Sequence, residues 1–512
     1  MRHGLAAIMT ALTMFCATGA AHADPASEAA ASALFDDVVA SPPALRTFLK
    51  LMPKGGDLHN HLGGSVYAED LLSWGAADGY CVDDAGTAVK APPCAPGRSI
   101  RELGEKVPYD FARLVDALSV RGIQRGVGAD DVTGHTQFFR SFDRFGAISG
   151  VSGARAMAAT RRIAAGDRLS YLELTYNPGA LNAHTLAGPD VPLDAAGLAA
   201  RYEAEIAAVP AVLAKASADL DRDEAATRAA LGCGAAKADP ACGVTIHYLA
   251  WGWRDLPPAQ AFRSLILAFA MADKDPRFVG VNIVQPEDWV IALRDYGLHM
   301  AMFRFLSAKY PKVRRTLHAG ELAFGAVPPA ALRDHIRQAL DAGAQRIGHG
   351  TGIAHEDDAL GTMQRMAREG IAVEINLTSN DVILGVKGSD HPLALYRRLG
   401  VPVVLSTDDE GILRTDMTNE YMRAAREQGL RYADLKGVAR ASLEYAFLPG
   451  ASLWEKGRIG TAAAPCARSL DDALCQRFIK DNEKARLQAG LEQDYDRFER
   501  VELPRAAQAL GQ

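Results

Sequence analysis

Arg314-Arg315-Thr316-Leu317-His318-Ala319-Gly320-Glu321 is the segment from which the fold is best read. A short apolar run ends here in a histidine, and an acid follows three residues later. Such a layout is typical of a strand whose carboxyl end carries polar side chains into a site. Imidazole can ligate a metal ion, and a nearby carboxylic acid can transfer a proton to a substrate held by that ion.

Similar runs recur along the chain, mostly separated by helix-like stretches rich in Ala, Leu, Arg and Glu. The predicted strands are residues 57–61, 169–176, 244–249, 278–284, 314–318, 344–349, 371–377 and 401–406. Eight strands alternating with helices predict an α/β fold, the (β/α)8 TIM barrel, with its active site at the carboxyl ends of the strands. A doubly wound open sheet is the competing architecture, but no G-x-G-x-x-G motif follows the first strand.

The remaining segments are predicted to be additions to one barrel domain, residues 24–512. Residues 24–50 indicate a helical N-terminal arm, and residues 75–110 indicate a loop insertion. A barrel core of about 53–449 is followed by a C-terminal helical extension, 450–512. Since 512 residues suit either two average domains or one elaborated barrel, the length does not decide between them.

Residues 1–23 resemble a secretory signal peptide. Arg2 and His3 precede an apolar run from Leu5 to Phe15, and Ala21-His22-Ala23 provides an A-x-A cleavage site before Asp24. The alternative is a membrane anchor, but the run is short of the ~20 residues that a span requires. We therefore expect a periplasmic or secreted protein, and the sequence does not separate these two locations.

Cysteine usage agrees with export. Apart from Cys16, six cysteines fall into three close pairs: Cys81 with Cys94, Cys233 with Cys242, and Cys466 with Cys475. Nearest-neighbour pairing is the simplest of 15 connectivities, and the sequence leaves the pairing open. No C-x-x-C motif is present, so a thiolate zinc site is not expected, and an oxidising compartment explains the even count.

The bulk composition limits the partners. Hydrophobic residues make up 48% and charged residues 23%, as in a soluble globular protein with a substantial core. The net charge is −6 and no basic tract is present, which argues against nucleic acid or an anionic membrane as the main partner. A small-molecule partner is expected, and the oligomeric state stays open, a homo-oligomer included.

Four residues at predicted strand ends form a candidate metal site. His59 and His61 lie two residues apart on one strand, so their side chains point to the same face. His318 and Asp408 end two later strands, and three imidazoles with one carboxylate suit Zn²⁺ or a similar divalent ion. Taken alone, His59 and His61 fit equally well as polar residues at a strand end.

Three further residues are candidates for the chemistry. Glu321 is either an exposed acid in a loop or, beside a metal ligand, a proton donor. His349, between Gly348 and Gly350, has backbone room to approach a ligand and could act as a base or stabilise an attacking oxygen. Asp409 would point away from Asp408 in a continuous strand, but a bend would turn it toward a substrate.

These motifs carry a family resemblance. Pro53-Lys54 with His59-x-His61, His318-Ala319-Gly320-Glu321, Arg346-Ile347-Gly348-His349-Gly350 and Ser406-Thr407-Asp408-Asp409-x-Gly411 resemble the signature of adenosine deaminases, in the metal-dependent amidohydrolase superfamily. The resemblance runs from about Pro53 to Pro449. The segment 442–448 and the extracellular setting look most similar to the secreted, growth-factor-related branch.

The resemblance implies roles for the candidate residues. One Zn²⁺ per chain would be held by His59, His61, His318 and Asp408. Glu321 would protonate the purine ring nitrogen next to the amino-bearing carbon, and His349 would orient and deprotonate the attacking water. Asp409 would hydrogen-bond the imidazole-ring nitrogen of the purine. The H-x-E and P-C-x-x-C pattern of cytidine-type zinc deaminases is absent from the sequence.

Two positions depart from the family pattern. Gly63 stands where the family usually has an Asp that contacts the ribose 5′-hydroxyl. In Asn282-Ile283-Val284-Gln285-Pro286-Glu287, Gln285 stands where a glycine usually offers its backbone to the purine, although the Gln285 N–H could still donate. The reaction chemistry is therefore expected to be intact, and sugar recognition is expected to differ.

The sequence thus predicts a zinc-dependent hydrolase that converts adenosine or 2′-deoxyadenosine to the inosine product and ammonia. One alternative is a deaminase of another amino-purine or of a 5′-modified adenosine, which Gly63 would admit. Another is a nucleoside-binding barrel without turnover, against which the complete set of ligands and acid argues.

Overall fold

The computed structural model describes residues 25–121, 123, 132–149 and 153–509. The expected signal peptide, residues 1–23, lies outside them. The strands in chain order are β1 (Gly55–His61), β2 (Cys81–Val82), β3 (Val89–Lys90), β4 (Leu169–Thr175), β5 (Thr245–Trp253), β6 (Phe278–Val284), β7 (Thr316–Ala319), β8 (Arg346–His349), β9 (Ala372–Ile375), β10 (Val403–Leu405), β11 (Trp454–Glu455) and β12 (Arg458–Ala462).

Eight of these strands form a closed parallel barrel. Two four-stranded sheets have the orders β1-β4-β5-β6 and β7-β8-β9-β10. Single parallel bridges join their edges, Val281 with Arg315 on one side and Asn60 with Asp408 on the other. The expected (β/α)8 barrel is confirmed, and its strands coincide with the eight predicted runs to within a few residues.

Helices cover the barrel and extend it at both ends. The α-helices are Pro25–Val38, Pro42–Leu51, Ala68–Ala77, Ile100–Lys106, Pro108–Ala117, Gly134–Ser149, Gly153–Gly166, Gly179–Ala187, Leu198–Glu205, Val209–Ala230, Pro258–Lys274, Val290–Lys309, His335–Asp341, Ala359–Glu369, Leu377–Leu384, Leu393–Arg398, Glu410–Leu413, Met417–Gln428, Tyr432–Tyr445, Ala473–Asp481, Glu483–Arg497 and Leu503–Ala509. None of the described helices combines the length and apolarity needed to span a membrane.

The barrel strands are buried on both faces because helices cover the outside and side chains fill the inside. Every residue of β7, β8 and β9 is buried. Parallel strands in this setting are near-continuous apolar runs, which is why runs rather than alternation predicted them. The few polar residues inside such strands are therefore costly to bury unless they are paired.

The N-terminal arm forms two helices rather than one, since Pro42 and Pro43 begin a second helix at its first turn. Phe35 and Phe48 pack edge to face with ring centroids 5.5 Å apart, and Phe48 also contacts Phe498 of the C-terminal helices at 5.6 Å. The two terminal segments thus pack on each other. The division into a core of 53–449 and an extension stays a prediction.

The insertion at residues 75–110 has more regular structure than a loop. It contains the β2–β3 hairpin and the whole of the helix Ile100–Lys106. The simplest cysteine pairing is confirmed, with disulfides Cys81–Cys94, Cys233–Cys242 and Cys466–Cys475. Each disulfide closes a short surface segment, as the spacing indicated.

Candidate active site

Four side chains converge at the carboxyl ends of β1, β7 and β10. One ligand atom from each of His59, His61, His318 and Asp408 lies within 4.8 Å of all the others. The two Nε2 atoms of His59 and His61 are 3.2 Å apart, and Asp408 Oδ1 lies 3.3 Å from His61 Nε2. The structure therefore brings all four predicted ligands together, and β1 presents both its histidines to one face as expected.

Hydrogen bonds orient two of these imidazoles. His59 Nδ1 lies 2.7 Å from Glu374 Oε2, and His318 Nδ1 lies 2.9 Å from Asn282 Oδ1. Asn282 Oδ1 also accepts from the Ile283 N–H, so this atom is an acceptor and His318 Nδ1 is a donor. Both rings thus carry their proton on Nδ1 and direct the Nε2 lone pair to the cluster, the usual arrangement of metal-binding histidines.

The charge states match a cation site. Burial lowers the pKa of His61 to about 4 and lowers that of His318 well below its ordinary value. Burial alone would raise the pKa of Asp408, but its hydrogen bond to His59 and the charges of the neighbouring imidazoles hold it below its usual range. Burial would lower the pKa of His59 as well, but Asp408 and Glu374 raise it to about 10, so a cation binding there would displace a proton from this ring. Neutral His61 and His318 and an ionised Asp408 are donors that a divalent ion needs, so these residues fit a metal ion.

Glu321 is fixed by residues that the sequence did not single out. Glu287 accepts the backbone N–H of Gly320 with Oε1 and that of Glu321 with Oε2, both at 3.0 Å. Arg254, fully buried at the end of β5, places Nη2 3.6 Å from Glu321 Oε2 and Nη1 3.4 Å from Glu287 Oε2. This network fixes the turn after His318 and directs the Glu321 carboxyl inward.

The carboxyls around Glu321 differ in protonation. Burial, and then the charge of Asp408, raise the pKa of Glu321 well above its ordinary value. Burial would also raise the pKa of Glu287, but Arg254 and His335 hold it at about 2. Glu321 is therefore a proton donor, and the ionised Glu287 beside it holds it in place. Neighbouring carboxyls whose pKa values are shifted in opposite directions typically differ in their acid and base roles.

His349 faces the same space from β8. Its Nε2 lies 3.6 Å from Glu321 Oε1, and Glu321, His349 and Asp408 each offer an atom within 4.8 Å of the others. Burial lowers the pKa of His349 to about 3, so the ring is neutral. On the other side, Nδ1 lies 3.0 Å from Asn380 Nδ2 and 3.3 Å from Asn376 Nδ2.

The glycines around His349 serve packing. A Cβ on Gly348 would lie 2.8 Å from His59 Cε1, and one on Gly350 would lie 2.7 Å from the Tyr396 hydroxyl. Any side chain at Gly348 would thus displace a predicted ligand. The space at these glycines is thus taken by His59 and Tyr396, and the expected approach of a ligand to His349 stays a prediction.

Backbone strain marks the site. Gln285, His349 and Asp408 have φ values of 86°, 64° and 60°, three of the five non-glycine residues in the left-handed region among those that the structure describes. Such conformations cost on the order of 1–3 kcal/mol each and persist where the surroundings impose them. Gln285 thus keeps a positive φ that a glycine would adopt easily, and it differs from the family glycine only by adding a side chain.

Asp409 turns inward because β10 ends at Leu405 and Asp408 is left-handed. Burial, followed by the charge of Asp408, raises the Asp409 pKa well above its ordinary value. Asp409 and Gln285 line a cavity of about 1630 Å³ that opens from the cluster and also includes Gly63. A Cβ on Gly63 would meet nothing within 4 Å, so the glycine there leaves open space.

Weak signals for some of the supporting residues are visible in the sequence. Glu374 is the one acid in an otherwise apolar strand, β9, and Glu173 is similarly placed in β4. A charge inside a buried strand implies a partner, and here Arg346 bonds Glu374 at 2.6 Å and Glu173 at 2.5 Å. Asn282 is likewise the one polar residue in β6, whereas Arg254 and Asn380 had no comparable signal.

A closed parallel barrel with imidazoles and a carboxylate at its carboxyl mouth has the layout of a barrel enzyme with a metal site. The comparisons with known proteins narrow this class. A family model described as "Adenosine deaminase" matches residues 124–454, and the chain belongs to the adenosine deaminase family.

Curated relatives match over part of the chain. An adenosine deaminase of Serratia proteamaculans is 38% identical over 145 residues, 28% of this chain and 41% of that protein. An aminodeoxyfutalosine deaminase of Streptomyces coelicolor is 38% identical over 110 residues, 21% of this chain and 28% of that protein. The alignments thus span less than half the length of these curated relatives.

Solved structures share the fold. An amidohydrolase of Burkholderia ambifaria with bound Zn matches with a TM-score of 0.52 at 18% identity, covering 87% of this chain and 94% of that one. The Arabidopsis protein ADAL complexed with IMP matches with a TM-score of 0.51 at 21% identity, covering 78% and 93%. At these identities the likeness concerns the fold alone.

Proposed function

We propose that this protein is a zinc-dependent hydrolase that deaminates adenosine or 2′-deoxyadenosine to the inosine product and ammonia. One observation carries the proposal: Glu321, His349 and Asp408 meet within 4.8 Å, beside three imidazoles. An acid, a neutral imidazole and a cation site around one point suit addition of water to a ring carbon next to a ring nitrogen. Membership of the family and its deaminase relatives support the same reaction.

The residues divide the reaction as follows. Glu321, held by Glu287, gives its proton to the purine ring nitrogen, which makes the neighbouring amino-bearing carbon electrophilic. The water oxygen forms a bond to that carbon, one of the two water protons passes to the amino group and the other returns to Glu321. The carbon–nitrogen bond then breaks and ammonia leaves. Asp409, protonated through burial, donates to the imidazole-ring nitrogen, and the N–H of Gln285 contributes a second base contact.

The proposed cofactor is one Zn²⁺ on His59, His61, His318 and Asp408. Bound there, it would lower the pKa of water to about 7 and so supply hydroxide at neutral pH. The bound zinc of the Burkholderia ambifaria structure supports this choice of ion. Metal analysis of the purified protein should find about one zinc per chain, and His61→Ala should lose it.

Ammonia release from adenosine, 2′-deoxyadenosine, adenine and 5′-modified adenosines tests the reaction. Glu321→Gln should keep its zinc and lose turnover, whereas Glu455→Gln on the surface should match the unmodified protein. Absence of ammonia from every substrate would refute the enzyme and favour a binding barrel. Full activity in Glu321→Gln would refute its role as the acid.

A second substrate class is favoured by Gly63. The cavity of about 1630 Å³ is larger than the ~300–1,000 Å³ of ordinary ligand pockets, and the space beside Gly63 is open. Both features suit a nucleoside that carries an extra group at the 5′ position. The aminodeoxyfutalosine deaminase relative supports a substrate other than adenosine. Gly63→Asp should shift the ratio of kcat/KM values toward unmodified adenosine; an unchanged ratio would contradict this class.

We also propose export, to the periplasm or the medium, as for the growth-factor-related branch. The layout of residues 1–23 and the three disulfides support it. Mass spectrometry of the protein isolated from the producing cell should find an N-terminus at Asp24. An intact Met1 in the cytoplasmic fraction would contradict export.

A further inference from the structure

The direction of the hydrogen bonds behind His349 can be read from a backbone group. The Leu393 N–H donates to His391 Nδ1 at 3.1 Å, so this nitrogen bears a lone pair. Burial lowers the pKa of His391 to about 4, which leaves a neutral ring with its proton on Nε2. A backbone N–H cannot reverse its sense, so the tautomer of His391 is fixed.

The proton on His391 then sets the next residue. His391 Nε2 lies 3.0 Å from Asn380 Oδ1 and donates to it. With its oxygen taken, the fully buried Asn380 amide turns its NH₂ group toward His349 Nδ1 at 3.0 Å. Asn376 Nδ2 approaches the same nitrogen at 3.3 Å in the same sense. His349 Nδ1 is therefore an acceptor.

We propose that His391 and Asn380 are positioning residues that hold His349 as the Nε2–H tautomer, so that His349 donates a hydrogen bond to the attacking oxygen. His349 Nε2 is buried with no hydrogen-bond partner among the described residues and lies 3.6 Å from Glu321 Oε1. This inference rests on the proposed function, since it names the role of His349 in that reaction.

This assignment decides between two roles. A base at Nε2 would need a lone pair there, which the Asn380 amide opposes by donating to Nδ1. A donor at Nε2 stabilises negative charge as the oxygen adds to the ring, and His349 keeps its proton throughout. A divalent ion on His59, His61, His318 and Asp408 would supply hydroxide at neutral pH, and an imidazole base would then not be needed.

Asn380→Asp inverts the arrangement with almost no change in shape. A carboxylate at this position accepts from both His391 Nε2 and His349 Nδ1, which moves the His349 proton to Nδ1 and leaves Nε2 bare. We expect kcat to fall about 100-fold, as for loss of one oxyanion donor, with KM little changed. If His349 were instead a base, the new Asp–His pair would resemble that of a serine protease, and activity would be kept or raised.

The tautomer is also measured directly. In the zinc-loaded protein with ¹⁵N-labelled histidine, the ring shifts should show His349 protonated at Nε2, and Asn380→Asp should move the proton to Nδ1. His391→Phe, which frees the Asn380 amide to rotate, should give a mixture and serves if Asn380→Asp does not fold. Asn482→Asp, whose side chain caps a helix near the C-terminus, controls for the added acid and should keep unmodified kinetics.

The outcomes separate the two proposals. An active protein in which Asn380→Asp retains or gains activity overturns the positioning role and leaves the deaminase intact. A resting His349 protonated at Nδ1 overturns it as well. If no substrate is turned over, the deaminase proposal fails, and the ring shifts still decide the tautomer.

Discussion

Replacing Arg346 by methionine removes the guanidinium that bonds two buried carboxylates of the barrel interior, Glu173 and Glu374. The guanidinium bonds Glu173 Oε2 at 2.5 Å and Glu374 Oε1 at 2.6 Å, and it lies 3.9 Å above the ring of Phe447. All three charged side chains are at most 1% exposed. Methionine keeps the stem but leaves both carboxylates without their counter-ion.

The expected loss follows from what each carboxylate retains. Glu374 keeps the bonds from His59 and Thr316, and Glu173 keeps those from the Tyr171 hydroxyl and the Phe447 N–H. Removing one partner of a buried ion pair costs about 3–5 kcal/mol. Because the remaining donors stabilise the carboxylates in part, we expect a loss within this range rather than the sum for two pairs.

Urea denaturation followed by circular dichroism measures the effect as a lower midpoint at an unchanged slope. The protein is first treated with a chelator, so that metal binding does not contribute to the measured stability. Arg346→Lys should lose less stability than Arg346→Met, because the lysine ammonium retains the charge although it cannot bond both carboxylates as the guanidinium does. Arg458→Met, at an exposed pair with Glu455, should change stability by less than about 0.5 kcal/mol. A loss below about 1 kcal/mol for Arg346→Met would refute the reasoning.

Three other changes have defined outcomes. Glu287→Gln leaves one of the Gly320 and Glu321 N–H groups without an acceptor, so kcat should fall by a factor equivalent to about 1–3 kcal/mol; unaltered kcat would contradict the positioning of Glu321. Burial raises the pKa of Glu420 to about 7 from 4.5, so the folded state retains a proton that the unfolded chain releases, and stability should fall by on the order of 3 kcal/mol as the pH rises from 4.5 through 7. Glu420→Gln should remove this fall in pH-dependent melting curves, and an identical slope would count against the assignment. Replacing the buried Cys466 and Cys475 together by alanine opens a loop with a sequence separation of 9 and should cost roughly 2–3 kcal/mol in chemical denaturation; an unchanged midpoint would contradict this.

The barrel was predictable because its strands are buried on both faces. Runs such as Ile371 to Leu377 are largely apolar, with only Glu374 and Asn376 polar, and the polar residues beyond the strands indicated the site. The candidate ligands could be found because three imidazoles and a carboxylate follow predicted strands together, although His59 and His61 alone would fit polar strand ends as well. The disulfide pairing followed from short spacing, which favours local closure.

The supporting network was not predictable because its members are distant in sequence. Arg254 and Glu287 reach Glu321 from two other strands, and His391 reaches His349 through Asn380 from a helix start. A buried acid such as Glu374 signals that a partner exists but not which residue it is. Asp409 turned inward only because the strand ended early, and strand ends are set by packing that no local pattern records.

The bridge between Asn60 and Asp408 joins the first and last strands of the barrel beside the candidate metal ligands. Backbone bonds run from the Asp408 N–H to the His59 oxygen and from the His61 N–H to the Asp408 oxygen. An ion shared by His61 and Asp408 would be a non-covalent cross-link that closes a loop of several hundred residues. The chain would then gain less conformational entropy when the barrel opens between β1 and β10. Amide exchange in β1 and β10 should therefore slow on metal loading, while the central pair β4 and β5 changes little.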